Sequence, residues 1–341
     1  EVQTLWGTYL GQHYGWEREG KDPGDVDNVY IRRYWTPGLE FSFLLLDYAD
    51  YTGHSTFLQQ CALPFIREIL TFFSAHFPQK NAHGKRVLYP AQCIEMWHTS
   101  TNPAPDIAGL RAVLERVLQL PDDMVGQKEK ETWNTFLSEL PALPEGLDNE
   151  GNPVLRPVES AEGEPQNMEN PELYAVFPFR LFTARHDPHN RARRAFQQRT
   201  HHDSFGWHQH IQQAALLGLT EEATKALGQF VKSPTAGRFP AFWGPNFDWI
   251  PDQDHGSNIL MGTQTMLLQS DGETIHLFPA WPRNWNVHFR LHAPQKTVVE
   301  ATLHNGILTT LEVTPAHRAN DVKLPEGWKT KDPSPASTTS H

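Results

Sequence analysis

The stretch that most constrains this chain is Pro37–Tyr51, whose apolar residues surround almost the whole helix it predicts. Leu39, Phe43, Leu46 and Asp47 recur at helical spacing, and Phe41, Leu44 and Leu45 fill the remaining faces. A helix apolar on nearly every side is expected to be buried on several sides, which requires other helices around it. Thr52-Gly53-His54 ends it, and Ser55 is the expected cap of a second helix, Thr56–Phe77, with Pro64 inside. Two long helices joined by a short glycine turn form a helical hairpin.

The same pattern continues along the chain. Pro105–Leu120, Lys128–Leu140, Asn170–Phe182, His189–Thr200, Ser204–Leu219, Glu221–Lys232 and Ser257–Gln269 each read as helix. Pro141–Gln166 is rich in Pro, Gly and Glu and reads as a loop with a small hairpin around Val154–Val158. Beyond Ser270 the period changes to alternation, in Ile275–Phe278, Val298–Leu303 and Leu308–Val313, the last two joined at Asn305-Gly306 as a hairpin. The expectation is a mainly α chain, an (α/α) barrel of helical hairpins, with a small C-terminal antiparallel β domain. A tetratricopeptide-like solenoid competes, but no fixed-period repeat supports it. The expected domains are residues 1–270 for the helical body, 271–325 for the β unit and 326–341 for a disordered tail.

Composition narrows the partners. The chain has 341 residues and a net charge of −11, with no Lys/Arg-rich block, so nucleic acid is not expected. It contains 11 Trp, 19 Phe and 8 Tyr, and flat aromatic faces suit sugar rings as well as cores. Cys61 and Cys93 read as small core residues rather than a disulfide framework. No run of apolar residues is long enough for a membrane span. No HExxH or cysteine cluster is present, and His208 and His210, two apart on a helix, cannot face one metal; neither metal nor cofactor is expected. The chain begins at Glu1, which reads as a piece of a longer protein, with a secreted or periplasmic location expected.

Two stretches can carry chemistry. Phe242–Asn258 holds Asp248, Asp252 and Asp254 among Trp243, Trp249, Asn246 and His255, on a Pro/Gly-shaped loop. Aromatic rings beside carboxylates suit a sugar site, and a polar connector packed on the core reads equally well. Asp254 precedes a helix, where the amide groups favour an ionised carboxylate, whether as a base or as a plain cap. Glu95 lies in Tyr89-Pro90-Ala91-Gln92-Cys93-Ile94-Glu95-Met96-Trp97, among apolar neighbours that would favour a protonated acid; a structural glutamate is the alternative. Glu40 and Asp47 share one face of the first helix, where lining a pocket or pairing with Arg32, Arg33 or Arg67 would satisfy them.

Five stretches in chain order, between Tyr34 and Val313, resemble glycoside hydrolase family 95 and its α-L-fucosidase-like relatives of the six-hairpin glycosidase type. They are Pro37-Gly38 through Tyr51-Thr52-Gly53-His54; Tyr89-Pro90 through Glu95; Gln198-Arg199 through Phe205-Gly206-Trp207; Gln253-Asp254 through Met266-Leu267-Leu268-Gln269-Ser270; and Ile275-His276-Leu277-Phe278-Pro279-Ala280-Trp281-Pro282 with Trp285. The resemblance implies an (α/α)6 barrel and an inverting, exo-acting glycosidase on an oligo- or polysaccharide, with Glu95 as acid and Asp254 as base. Trp97, Trp207, Trp243 and Trp249 would then shape the sugar subsite, with Asn246, Arg199, His208 and His255 at its hydroxyls. The chain departs from the family at Met96 and at His255-Gly256-Ser257. A non-catalytic carbohydrate-binding relative and a glycoside phosphorylase are the alternatives.

Overall fold

The computed structural model describes residues 29–203, 206–232 and 253–330. These divide into two compact units. The first holds the described residues up to Asp47 together with His54–Asp203; the second holds Tyr48–Gly53 and those from residue 206 onward.

The expected first helix is present as α1, Thr36–Thr52, closed by Gly53 at φ +59. Its burial is narrower than its composition predicts. Leu39, Ser42, Phe43, Leu46 and Ala49 form the buried stripe, whereas Phe41 is 50% and Leu44 60% exposed. Spacing decides which side chains face the core, and the remaining apolar residues lie on other faces. The second helix is composite. His54, not Ser55, caps it by accepting the Phe57 N–H at 3.0 Å. Ser55–Phe57 then widens into a π-helical stretch, Leu58–Ala62, before α2, Leu63–His76. Pro64 lacks the N–H that would bond Gln60, and the wider stretch lies just ahead of it.

α3, Ala104–Leu118, is buried around most of its first half. Its Gly109 admits Phe179 and Leu39 so closely that a Cβ there would lie 2.7 Å from Phe179 Cζ and 2.8 Å from Leu39 Cβ. α4, Gln127–Glu139, buries Trp133 and Phe136 and is tied to α2 by a two-pronged Arg67–Glu129 pair at 2.7 and 2.9 Å. β1, Ala91–Cys93, pairs antiparallel with β2, Trp97–Thr101. A hairpin of β3, Glu145–Leu147, and β4, Pro153–Leu155, follows, and β5, Ser160–Ala161, then adds antiparallel to β2. Asp187 caps α5, Arg191–Gln198, by accepting from the Ala192 and Arg193 N–H groups, each at 3.0 Å.

In the second unit α6, His210–Leu216, α7, Thr220–Lys232, and α8, Asp254–Leu267, pack on one another. Gly262 of α8 meets Ile211 of α6 so tightly that a Cβ would fall 2.4 Å from its Cγ2. α8 runs straight into β6, Leu268–Asp271, which pairs antiparallel with β7, Thr274–Leu277. β8, Val287–Ala293, β9, Thr297–His304, and β10, Ile307–Thr314, form an antiparallel meander. Asn305 and Gly306, both at positive φ, make its predicted turn. β11, Val322–Lys323, adds parallel to β7, and β12, Lys329–Thr330, parallel to β10. The β8–β9 turn also caps α1: Gln295 N–H donates to Asp50 O at 2.8 Å and Lys296 N–H to Tyr51 O at 3.0 Å.

The expectation of a mainly α (α/α)6 barrel with one C-terminal β domain is overturned. Among the described residues no complete ring of six helical hairpins is present, and four small sheets occur, two of them in the first unit. The expected helix Asn170–Phe182 is a 3-10 turn, Pro171–Ala175, followed by turns, since Pro178 cannot continue a helical ladder. The helix expected over Ser204–Leu219 covers only His210–Leu216 among the described residues. The hairpin expected around Val154–Val158 begins instead at Glu145. Among the described residues no helix is long and apolar enough to cross a membrane.

Candidate functional site

Glu95 stands in the tight turn between β1 and β2. Ile94, at φ 43, is fully buried and Met96 is 3% exposed, so the two neighbours anchor the turn while Glu95 stays half-buried. A second segment runs against this turn. Gln166 N–H donates to Met96 O at 2.8 Å, and Glu169 N–H to Met96 Sδ at 3.2 Å. Asn167 Nδ2 donates to Glu95 Oε2 at 2.8 Å. The Glu169 carboxylate in turn accepts the backbone N–H of Glu95.

Glu169 is an unusual carboxyl. Its Oε2 is sealed from solvent without a hydrogen-bond partner. Burial, then the charge of Glu95, pushes its pKa up to about 8; the Glu95 N–H opposes this and Glu40 adds to it. Glu40, on α1, is raised to about 7 by burial, with Oε1 sealed and unpartnered. The Tyr34 and Tyr174 hydroxyls bond one another and are pushed up, first by burial and then by neighbouring charges that include Glu40 and Glu169. Behind them Asp106 is raised to about 7 by burial, against a 2.6 Å bond from the Thr36 hydroxyl. Glu172 is also raised to about 7 by burial, opposed by its own backbone N–H, Arg156 and Arg199. At neutral pH such a group of carboxyls and phenols can donate as well as accept hydrogen bonds. Among the described residues no three His, Cys, Asp or Glu side chains are placed to hold a metal ion.

The other expected residues fall as follows. Trp97 is half-buried at the start of β2, on the same hairpin as Glu95. Arg199 follows α5, with its guanidinium 4.0 Å over the Phe196 ring. In the second unit, His208 stacks on His210 with ring centres 4.6 Å apart, and Trp207 lies edge-on to His208. His255 stacks on Phe230 at 5.6 Å. Asn258 knits the unit, accepting from Gln212 Nε2 and donating to Gly206 O, each at 2.7 Å. Asp254 is exposed and is the first residue of α8, three residues ahead of the helix start expected at Ser257. Trp243, Asn246 and Trp249, with Asp248 and Asp252, lie outside the described residues. Glu95 belongs to the first unit and Asp254 to the second.

Asp47 does take arginine partners, Arg116 at 2.7 Å and Arg180 at 2.6 Å rather than those expected, whereas burial sets Glu40. Glu169, Tyr34 and Tyr174 were not legible as site residues. Glu169 sits in a polar run, Pro165–Asn170, that reads as loop surface, and its partner turn is some seventy residues earlier.

Comparison of the sequence with protein-family models and with curated proteins returns no match. Among solved structures, the chain is similar to one described as a kojibiose phosphorylase from the human microbiome, with a TM-score of 0.55 and 12% identity. The likeness covers 80% of this chain and 45% of that one, so the chain spans under half the length of its structural neighbour. At that identity it is the fold, in part, that the two share.

Proposed function

We propose that this chain is a carbohydrate-active enzyme that cleaves a glycosidic bond by general acid–base catalysis. The observation that carries the reading is the half-buried carboxyl of Glu95, pinned by Asn167 beside Glu169, whose Oε2 is sealed. Beside it, Glu169 is raised to about 8 by burial and by the charge of Glu95, so Glu169 keeps its proton at neutral pH. Glu95, the carboxyl of the turn, would protonate the departing glycosidic oxygen, and Trp97 two residues on offers a ring face to the sugar. In the hydrolytic reading, Asp254 takes a proton from the water that attacks the anomeric carbon from the opposite side, and the anomer inverts. Trp207 would shape the sugar subsite, with Arg199, His208 and His255 at its hydroxyls.

The partial fold likeness to a kojibiose phosphorylase favours a second reading, in which inorganic phosphate attacks in place of water. Kojibiose and a panel of 4-nitrophenyl glycosides, each with and without phosphate and followed by NMR, separate the two. Inverted free sugar without phosphate supports hydrolysis; phosphate-dependent sugar 1-phosphate supports phosphorolysis. Replacing Glu95→Gln should lower turnover by about 10²–10⁴-fold in either case. Unchanged turnover in that variant would sink the acid assignment and leave a carbohydrate-binding protein. An acid–base separation outside about 6.5–9.5 Å would exclude inversion by this pair.

A further inference from the structure

The segment that runs against the catalytic turn carries more than packing. Across four residues it makes four contacts to two consecutive positions: Gln166 to Met96 O, Asn167 to Glu95 Oε2, Glu169 N–H to Met96 Sδ, and the Glu169 carboxylate to Glu95 N–H. The first fixes the backbone after Glu95, the third holds the Met96 side chain, and the second fixes the Glu95 side chain. The fourth is different in kind, because it places a second carboxyl on the backbone of the first. A glutamate that only clamped a turn would be served as well by a neutral amide. Here one carboxylate oxygen of Glu169 is sealed and unpartnered, an arrangement that costs folding free energy. We propose that Glu169 is a positioning residue for Glu95, holding the Glu95 turn through its N–H and setting the charge that the Glu95 carboxyl meets.

This rests on the assignment of Glu95 as the acid. The ionisable groups facing Glu169 are Glu95 on the turn, Glu40 on α1, Tyr34 and Tyr174, and the buried Cys93 thiol of β1. Of these, the charges of Glu95 and Glu40 hold the Glu169 proton more tightly, while the phenols and the thiol, themselves pushed up by burial, stay neutral. The consequence is a Glu169 that stays protonated through neutral pH against the Glu95 turn.

The test needs no substrate. The amide proton of Glu95 donates to Glu169, so its chemical shift should follow the ionisation of Glu169, with a midpoint near 8 in the unaltered chain. In Glu95→Gln the neighbouring charge is gone and the midpoint should fall. In Glu169→Gln the titration of that amide should vanish. A Glu95 amide that stays flat between about pH 6 and 9, or a midpoint unmoved in Glu95→Gln, overturns the proposal. Neither of those two measurements depends on Glu169→Gln folding. Against whichever 4-nitrophenyl glycoside is turned over, Glu169→Gln should lower kcat with KM unchanged and move the alkaline limb of kcat/KM to lower pH. An unmoved limb counts against the proposal. Full turnover in Glu95→Gln would instead remove the acid itself, whatever the amide does.

Discussion

At the scale of single residues, the first unit concentrates protonated carboxyls. Asp106 is fully buried, and burial lifts it from 3.8 to about 7. As pH rises, the unfolded chain therefore loses this proton before the folded one does. The stability it contributes is complete below about pH 4, declines from there, and is gone above about pH 7. Asp106→Asn should flatten that decline, which is worth up to ~4 kcal/mol, and urea melts across this range measure it. A slope unchanged in the variant would mean that Asp106 titrates normally. Asn258 is the corresponding polar residue of the second unit. Asn258→Ala leaves Gln212 Nε2 and Gly206 O without their partner, and should cost roughly 1–3 kcal/mol in a thermal melt. Residue identity announced Glu95 and Asp254 as candidates, because each stands among aromatics on an irregular stretch. It could not announce Glu169, whose character comes wholly from the turn and helix folded over it.

At the scale of elements, local chemistry was readable and tertiary chemistry was not. α3, α7 and the Asn305-Gly306 turn were legible because their periodicity and φ requirements are written in adjacent residues. The 170–182 stretch reads as helix by composition, yet Pro171 and Pro178 leave it only a 3-10 turn. The strands β2, of five residues, and β5, of two, escaped notice because runs so short carry too little alternation to read. Helix contacts on bare backbone give a prediction of their own. Gly109→Ala would drive a methyl into Leu39 and Phe179, both buried, and should destabilise the first unit by about 1–3 kcal/mol, checked by chemical denaturation. A neutral result would show that Phe179, whose ring end is the nearest atom, simply moves aside.

At the scale of the whole molecule, the helical count misled. Repeated hairpin signals predict a closed ring of helices, but periodicity says only that each helix has a face to bury. It does not say against what. In the second unit that partner is a run of sheets as well as helices. Charge acts at this scale too. With a net −11 and no basic block, the protein should be retained on an anion exchanger near neutral pH and should not retard a DNA duplex in a low-salt gel. A retarded band would reveal a local basic surface that the net charge conceals.

The cap on α1 has a consequence for how the protein is made. The carbonyls of Asp50 and Tyr51 are met by the N–H groups of Gln295 and Lys296, more than two hundred residues further along the chain. On a ribosome, the end of this helix emerges long before its partner exists. Its last turn must then wait for the β8–β9 ribbon, so a nascent chain arrested short of Gln295 should exchange the amides of that turn rapidly while its earlier turns are already protected. Completion of this helix would wait on synthesis of a ribbon far along the chain.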